Sequence, residues 1–200
     1  HYAQLALLVA CLEWLWQERN DFIIGANLTV YFSREQLKRR DFRGPDFFLV
    51  NQAERRPRRS WVVWEEDGQY PDLIIELLSA STEKTDKTLK KLLYQDRFRT
   101  PEYFLFSPET LELTGYRLVD QCYEAIAPNA SGQLWSQVLS LYLGVWNEQL
   151  RYFGESGRLI PTPAEAALQA QAEAQRQARR AEQLAEQLRA LGVEPDSDAV

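Results

Sequence analysis

The segment Tyr70–Ser79 contains an apolar run, Leu73–Leu78, with one carboxylate, that of Glu76, in its middle. A buried carboxylate without a partner costs roughly several kcal/mol, because the low-dielectric interior does not replace its hydration. Glu76 therefore needs a compensating group. Two kinds of group satisfy this need: a metal cation, or a nearby lysine or arginine that forms a purely structural ion pair.

A metal site needs a second ligand near Glu76, and Asp72 is badly placed to supply it. In an extended strand the two side chains share a face but lie ~13 Å apart, at ~3.3 Å per residue. The ligand must come from another strand, and Asp46 directly precedes the apolar run Phe47–Val50. Asp46 is therefore the candidate, although Gly-Pro-Asp on its own is also typical of a turn. Asp72 is expected to shape the edge of the site.

The residue types that the chain lacks narrow the chemistry further. Its 200 residues include one histidine, His1, and two cysteines, Cys11 and Cys122. This composition excludes a Ser-His-Asp triad in the body of the fold, Cys-His nucleophilic sites and zinc sites built from paired cysteines or histidines. A metal site would have oxygen ligands, which favours Mg²⁺ or Mn²⁺. The two unpatterned cysteines predict buried thiols in a reducing, cytoplasmic compartment.

The order of helical and strand patterns that position these residues predicts an α/β fold, in which helices pack against a mixed sheet. Apolar residues recur at helical spacing over residues 1–19 and again over Asp86–Phe98, there through Leu89, Leu92 and Leu93. The apolar run 3–12 is too short to span a bilayer, so no membrane partner is expected. Short apolar runs predict strands at 22–30, 47–50, 61–64, 73–78, 103–106, 112–119, 123–126, 138–143 and 150–153.

From Pro161 onward the composition changes to Ala, Gln, Glu and Arg. We predict a globular domain over residues 1–160, a helix over 161–192 and an acidic tail over 193–200. Steps of three and four residues in the helix are typical of a coiled-coil seam, which predicts a homodimer or higher assembly. A solvated single helix explains the same pattern. The seam residues are Ala174, Ala178, Ala181, Leu184, Ala185, Leu188 and Leu191.

Four motifs, GPDFFLV, PDLIIELLSAST, KKLLY and RTPEYFLF, follow one another in an order that resembles the Uma2 family of endonucleases, in the PD-(D/E)XK superfamily. The likeness covers residues 1 to about 163 and implies a restriction-endonuclease-like fold. It also implies a divalent ion, Mg²⁺ with Mn²⁺ as a substitute, held by Asp46, Glu76 and the backbone carbonyl of Leu77. Family members often carry a histidine in the first helix, where this chain has His1. A terminal histidine is usually solvated, so His1 is left out of the predicted site.

The chain departs from the superfamily pattern at Leu78, where the lysine of the third motif is expected. In the Uma2 group a lysine on the following helix, four residues before a tyrosine, takes that role, which implies Lys90 before Tyr94 as the third catalytic residue. Lys87, Lys90 and Tyr94 share a helical stripe. Lys90 is therefore predicted to face the site and Lys91 to face solvent, since they are ~100° apart. A solvated lysine run explains the same spacing.

The distribution of charge adds a candidate nucleic-acid contact. The net charge of −6 argues against strong affinity for nucleic acid over the whole surface. Basic residues nevertheless cluster around Asp46, and a basic rim beside an acidic metal site is what a nuclease needs. A solvated hairpin loop explains the same composition. The predicted contacts are Arg43, Arg55, Arg56, Arg58 and Arg59, with Arg34, Lys38, Arg39 and Arg40 in the same cluster.

The leading function is thus a Mg²⁺-dependent endonuclease with DNA as its partner. The rival is a catalytically inactive protein that keeps the nuclease fold and acts in nucleic-acid binding or protein assembly, and the missing in-strand lysine favours it. A third alternative, a nuclease for RNA or branched DNA, differs only in substrate, and no base-reading motif decides between them.

Overall fold

The computed structural model describes residues 1–33, 43–79 and 86–191 of the chain, which folds into two compact units, His1–Ile160 and Pro161–Val200. The first unit begins with helix α1 (Tyr2–Leu15) and contains eleven described strands and a short 3₁₀ turn at Val63–Glu65. The strands are β1 (Phe22–Ala26), β2 (Val30–Tyr31), β3 (Phe47–Asn51), β4 (Trp61–Val62), β5 (Leu73–Leu77), β6 (Glu102–Phe106), β7 (Leu113–Val119), β8 (Cys122–Ala125), β9 (Leu134–Ser136), β10 (Leu141–Trp146) and β11 (Gln149–Phe153).

Six strands form the main sheet in the order β1-β3-β5-β6-β7-β8. Neighbours run antiparallel except β5 and β6, which are parallel. A parallel pair needs a long crossover, and the chain supplies one that contains a helical segment. Strands β11-β10-β9 form a second, antiparallel sheet, while β2 and β4 pair in parallel. The predicted mixed sheet flanked by helices is therefore confirmed.

The segment in the crossover, called the mixed helix below, combines π-helical turns at Asp86–Lys90 and Tyr94–Phe98 with an α-helical turn at Lys91–Leu93. Its apolar face differs from the predicted one. Leu89 and Leu92 are 65% and 54% exposed, and the buried side chains are those of Tyr94 and Phe98. Lys90, Tyr94 and Phe98 follow one another in steps of four, so they share one face of the segment, and this face lies toward the sheet in place of the leucine face.

The sheet is buried on both faces, since every residue of β5 and β6 is buried. One face packs against α1 and the three-stranded sheet, through residues such as Ile75 and Phe104. The other packs against Tyr94 and Phe98 of the mixed helix. Because side chains alternate along a strand, Glu76 lies on the face of β5 that the mixed helix covers.

Several predicted boundaries shift. The helix predicted over residues 1–19 ends at Leu15, and the strand predicted over 22–30 is two strands, β1 and β2, separated by a turn at Asn27, whose φ is +49°. Strand β9 was not predicted, and β10 begins three residues later than expected. Cys11 is buried as predicted, but Cys122 is exposed on the edge strand β8.

The second unit contains helix α2 (Pro163–Ala190), which begins with a capping box. The Thr162 hydroxyl accepts a hydrogen bond from the Glu165 N–H, and the Glu165 carboxylate accepts one from the Thr162 N–H. None of the described α2 residues is buried. The predicted tail over 193–200 lies outside the described residues, and within the described part of the chain no helix is both long and apolar enough to cross a membrane.

Candidate active site

Strands β3 and β5 bring Asp46 and Glu76 together. Phe47 pairs with Ile75 across these antiparallel strands, so the residues one position further out, Asp46 and Glu76, stand opposite each other. The Asp46 N–H donates to Glu76 Oε2 (3.4 Å), and the N–H of the next residue on β5, Leu77, donates to Asp46 Oδ2 (2.8 Å). The antiparallel register therefore places two carboxylates at one end of the strand pair, and their role as shared metal ligands stays a prediction.

Glu76 is fully buried, and the mixed helix supplies two donors to one of its oxygens. The Tyr94 hydroxyl donates to Glu76 Oε1 at 2.9 Å, and Lys90 Nζ lies 3.1 Å from the same oxygen. The Lys90 side chain is 18% exposed, whereas the Glu76 side chain is 0% exposed. A buried carboxylate is stabilised only where charge and hydrogen bonds replace its hydration, and Lys90 and Tyr94 contribute both.

The other lysines of the mixed helix contact different partners. Lys87 Nζ lies 3.7 Å from Glu112 Oε2. Lys91 Nζ lies 3.4 Å from the centroid of the Tyr116 ring, so it makes a cation–π contact and does not simply face solvent as predicted. Of the three lysines, Lys90 is the one that the structure places against Glu76.

Asp46 is positioned by its backbone and approached by His1. The Asn27 N–H donates to the Asp46 carbonyl at 2.9 Å, which fixes Asp46 to the end of β1. His1 Nε2 lies 3.4 Å from Asp46 Oδ2. Sequence reasoning had set His1 aside as solvated and had given Tyr94 no role. The available signals were the position of His1 at the start of the first helix and the four-residue step from Lys90 to Tyr94.

Asp72 lies at the other end of β5, away from Asp46 and Glu76. Its Oδ2 accepts a hydrogen bond from the Asn51 N–H at 2.7 Å, so it caps the far end of β3 and does not shape the edge of the site. Burial raises the pKa of the Asp72 carboxyl, and the Asn51 hydrogen bond offsets part of that effect.

Three arginines of the predicted basic rim are held by glutamates. Arg58 donates to both carboxylate oxygens of Glu66, at 2.6 and 2.8 Å, and its guanidinium lies 5.0 Å from the Trp61 ring centroid. This hydrogen-bonded pair lowers the pKa of Glu66 and raises that of Arg58. Arg56 also bonds Glu66 (2.9 Å), and Arg55 bonds Glu13 (3.2 Å). These arginines fold the β3–β4 connection onto the domain.

Arg55 is also far from the carboxylate pair. Its guanidinium lies 5.4 Å from the Phe22 ring, and Phe22 pairs with Asn51, at the opposite end of β3 from Asp46. Arg59 is exposed, and Arg43 is half-buried with its carbonyl accepting from the Val30 N–H. The role of these arginines in binding nucleic acid stays a prediction. Residues Arg34, Lys38, Arg39 and Arg40 lie outside the described residues.

The carboxylates of Asp46 and Glu76 fit a hard divalent cation that takes few protein ligands. Within residues 1–33, 43–79 and 86–191, no three His, Cys, Asp or Glu side chains gather closely enough to hold a metal ion. Mg²⁺ usually binds through one or two carboxylates and completes its shell with water and phosphate oxygens. The pair Asp46 and Glu76 meets that requirement, and the lack of thiolates beside it disfavours softer metals.

Comparison with known proteins shows the family of the chain. The profile of the Uma2 family, described as "Putative restriction endonuclease", matches residues 1–152, more than half of the chain. The chain belongs to the Uma2 family. The Uma2 match includes Asp46, Glu76 and Lys90 and leaves out α2. No curated protein matches the chain.

A solved structure supports the fold of this Uma2 member. A crystal structure from Anabaena variabilis ATCC 29413, described as "a putative nuclease belonging to DUF820", is similar with a TM-score of 0.50 and 18% sequence identity. The similarity covers 70% of this chain and 73% of that one. At this identity the likeness shows the fold alone.

Proposed function

We propose that this Uma2 member is a nuclease that hydrolyses phosphodiester bonds in DNA with the help of Mg²⁺, for which Mn²⁺ can substitute. The observation that carries the proposal is the pairing of Asp46 with a fully buried Glu76 on adjacent strands, with the Lys90 ammonium 3.1 Å from the second carboxylate. Membership in a family described as a restriction endonuclease supports the same chemistry. Asp46, Glu76 and the backbone carbonyl of Leu77 are the proposed ligands.

The metal would supply a Lewis acid that lowers the pKa of bound water and neutralises charge on the phosphate. The chain's own residues set the geometry. The Leu77 N–H orients the Asp46 carboxylate, and the Tyr94 hydroxyl orients that of Glu76. Lys90 is a cation beside these carboxylates, where it would stabilise negative charge that develops on a phosphate oxygen in the transition state.

The position of Lys90 supports an enzyme, although the chain departs from the superfamily pattern at Leu78. Leu78 occupies the position of the expected lysine and is buried in the core that contains Tyr94. The mixed helix, and not β5, places an ammonium against Glu76. We propose that Lys90 takes the role of the missing lysine, so its absence from the strand does not argue for an inactive protein.

Cleavage of supercoiled plasmid DNA tests the proposal. The wild type is expected to nick the plasmid with Mg²⁺ or Mn²⁺ and to be inactive with EDTA. Asp46→Asn and Glu76→Gln should each lower the rate by at least about 100-fold, since each removes a charged ligand. The matched control is Asp72→Asn, which removes the same charge at the far end of β5 and should keep the wild-type rate.

Circular dichroism separates loss of the site from loss of the fold in these variants. Wild-type cleavage by folded Asp46→Asn or Glu76→Gln would remove that carboxylate from the mechanism. A folded wild type that binds DNA in a gel-shift assay but leaves DNA, RNA and branched substrates intact would support the rival function in nucleic-acid binding.

A further inference from the structure

Two donors share one oxygen of Glu76, and they differ in charge and in freedom to move. Tyr94 is neutral and fully buried, and its hydroxyl lies 2.9 Å from Glu76 Oε1. Lys90 is charged and partly exposed, and its ammonium lies 3.1 Å from the same oxygen. The ammonium sits on a flexible four-carbon stem, so Lys90 can leave this position while Tyr94 stays.

A divalent cation at Glu76 would compete with Lys90 for the same charge. The buried carboxylate needs a positive partner, and in this structure Lys90 supplies it. A cation that binds Glu76 makes the ammonium redundant as a partner, and two positive charges this close repel each other strongly at low dielectric. The hydrogen bond from Tyr94 carries no such penalty, because the hydroxyl is neutral.

We propose that Lys90 substitutes for the divalent cation in the metal-free protein: it neutralises Glu76 until the cation binds and is then displaced toward the phosphate of the substrate. This inference rests on the proposed function, because it requires that Glu76 holds a divalent cation. It extends that function by making Lys90 a competitor of the metal before it serves the reaction. Tyr94 is the positioning residue that keeps Glu76 oriented in both states.

Thermodynamic linkage between Lys90 and metal binding gives a test that does not depend on nuclease activity. If Lys90 and the cation compete, neutralising Lys90 must tighten metal binding by the factor by which the ion pair had weakened it. It must also destabilise the metal-free fold, because a buried carboxylate is left without its charge partner. Added metal then restores stability through preferential binding to the folded state.

The experiment measures Mn²⁺ binding by electron paramagnetic resonance and thermal unfolding with and without Mn²⁺. The variants are Lys90→Met, which removes the charge and the donor, and Lys90→Gln, which removes the charge but keeps an N–H donor. Both should bind Mn²⁺ at least about tenfold more tightly than the wild type. Both should have a lower metal-free melting temperature and gain more from saturating Mn²⁺ than the wild type gains.

Two controls locate the effect. Lys91→Met removes the neighbouring charge, which lies over Tyr116, and should bind Mn²⁺ like the wild type. Glu76→Gln should abolish saturable binding, which shows that the ion is bound at this site. If Lys90→Met does not fold without metal, Lys90→Gln provides the comparison, since its amide still donates to the carboxylate.

The outcomes distinguish the inference from the proposed function. Saturable Mn²⁺ binding that is equal or weaker in both neutral variants would overturn the displacement of Lys90 and leave the metal site intact. No saturable binding by the wild type or any variant would overturn the metal site and the inference with it. Tightening in Lys91→Met equal to that in Lys90→Met would show a general charge effect and would also overturn it.

Discussion

Two buried carboxylates in this protein have similar sequence contexts and different roles. Glu102 begins the apolar strand β6, as Glu76 lies within β5, and both are buried. Glu102 accepts hydrogen bonds from Arg117 at 3.0 and 3.1 Å and from the Gln137 N–H at 2.8 Å. Its ion pair with Arg117 joins β6 to β7, and a hydrogen bond from the Ser136 hydroxyl joins it to β9 of the second sheet. Glu76 instead faces a second carboxylate, Asp46, and that proximity marks the site.

This contrast sets the limit of prediction at the scale of a residue. Sequence chemistry predicted a partner for Glu76, because an acidic residue in an apolar strand needs one, and the resemblance to the Uma2 family implied Asp46. The same reasoning did not flag Glu102, and it left Tyr94 and His1 out of the site. Their contacts depend on how the mixed helix and α1 pack against the strands. Local residue spacing does not predict such long-range packing.

Removing the Tyr94 hydroxyl tests its contribution to holding Glu76. Tyr94→Phe leaves the buried carboxylate without one donor, so the free energy of unfolding should fall by about 1–3 kcal/mol. Urea denaturation at pH 7 measures the change. The control is Tyr152→Phe, because the buried Tyr152 hydroxyl has no hydrogen-bond partner among the described residues, and its removal should leave stability unchanged or raise it. Equal losses in both variants would contradict the proposed role of Tyr94.

Asp72 makes stability depend on pH. Burial raises its folded-state pKa above the ordinary value of 3.8, so the folded protein holds this proton more tightly than the unfolded chain does. The contribution of Asp72 to the free energy of unfolding therefore falls as pH rises from 3.8 through the folded-state pKa. Asp72→Asn keeps an oxygen to accept from the Asn51 N–H and carries no charge.

We expect Asp72→Asn to be more stable than the wild type at pH 7 and to lose that advantage as the pH approaches 3.8. Urea unfolding of both proteins at several pH values between these limits measures the difference. A difference that is constant across this range would assign the effect to packing and not to the charge of Asp72.

At the scale of elements, the register of β1 against β3 depends on Gly25, which has no side chain. A Cβ atom on Gly25 would lie 2.1 Å from the Phe48 ring, which packs over it, and Gly25 and Phe48 are cross-strand partners. The close approach lets the ring fill the space beside β1. Directly after this strand pair, the Asn27 N–H donates a hydrogen bond to the Asp46 carbonyl.

Gly25→Ala should therefore lower the free energy of unfolding by about 1–3 kcal/mol, because an added methyl group displaces a packed aromatic ring. Guanidinium unfolding monitored by tryptophan fluorescence measures the loss. Gly44→Ala is the control: its added Cβ atom meets nothing within 4 Å, so its effect should stay within about 0.5 kcal/mol. Wild-type stability in Gly25→Ala would show that the Phe48 ring moves aside freely.

The mixed helix shows why some elements escaped sequence prediction. Alternation and apolar runs located β3, β5 and β6 correctly, because strands buried on both faces have a strong composition signal. Helical spacing did not show which face of this segment lies against the sheet, and Leu89 and Leu92 are exposed. Steps of four keep Lys90, Tyr94 and Phe98 on the face toward the sheet, and no local residue type predicts a π-helical turn.

At the scale of the whole molecule, α2 offers the surface for the predicted self-association. Leu184, Leu188 and Leu191 are all exposed on it, and an exposed apolar stripe on a helix favours pairing with another helix. Sedimentation velocity of the full chain at micromolar concentration should give a dimer or larger species. Deleting the chain after Pro163 should give a folded monomer if α2 is responsible, whereas a dimer formed by the first unit would survive. A monomeric full chain would contradict both routes.

A point substitution tests the seam without shortening the chain. Leu188→Glu places a charge in the predicted seam and should shift the full chain toward monomer. Gln183→Glu adds the same charge about 140° away around the helix, at ~100° per residue, and should leave assembly unchanged. Equal dissociation by both variants would indicate general charge repulsion and not a seam.

The parallel pairing of β5 with β6 has a consequence for the order in which the chain folds. The β7–β8 and β10–β11 hairpins close through two-residue turns, Asp120–Gln121 and Asn147–Glu148, whose φ angles are all positive. Such local hairpins form within microseconds. The β5–β6 pair must first close a loop of more than twenty residues, which is entropically slower.

That loop carries Lys90 and Tyr94, and α1 closes over the sheet through even more distant contacts, such as the Gln4 side chain with the Leu150 backbone. We therefore expect the hairpins to form early and the carboxylates, lysine and tyrosine to meet only in the last, rate-limiting step. A chain still emerging from the ribosome would hold its hairpins but no assembled centre. The proposed nuclease activity would then begin only when the first unit is complete.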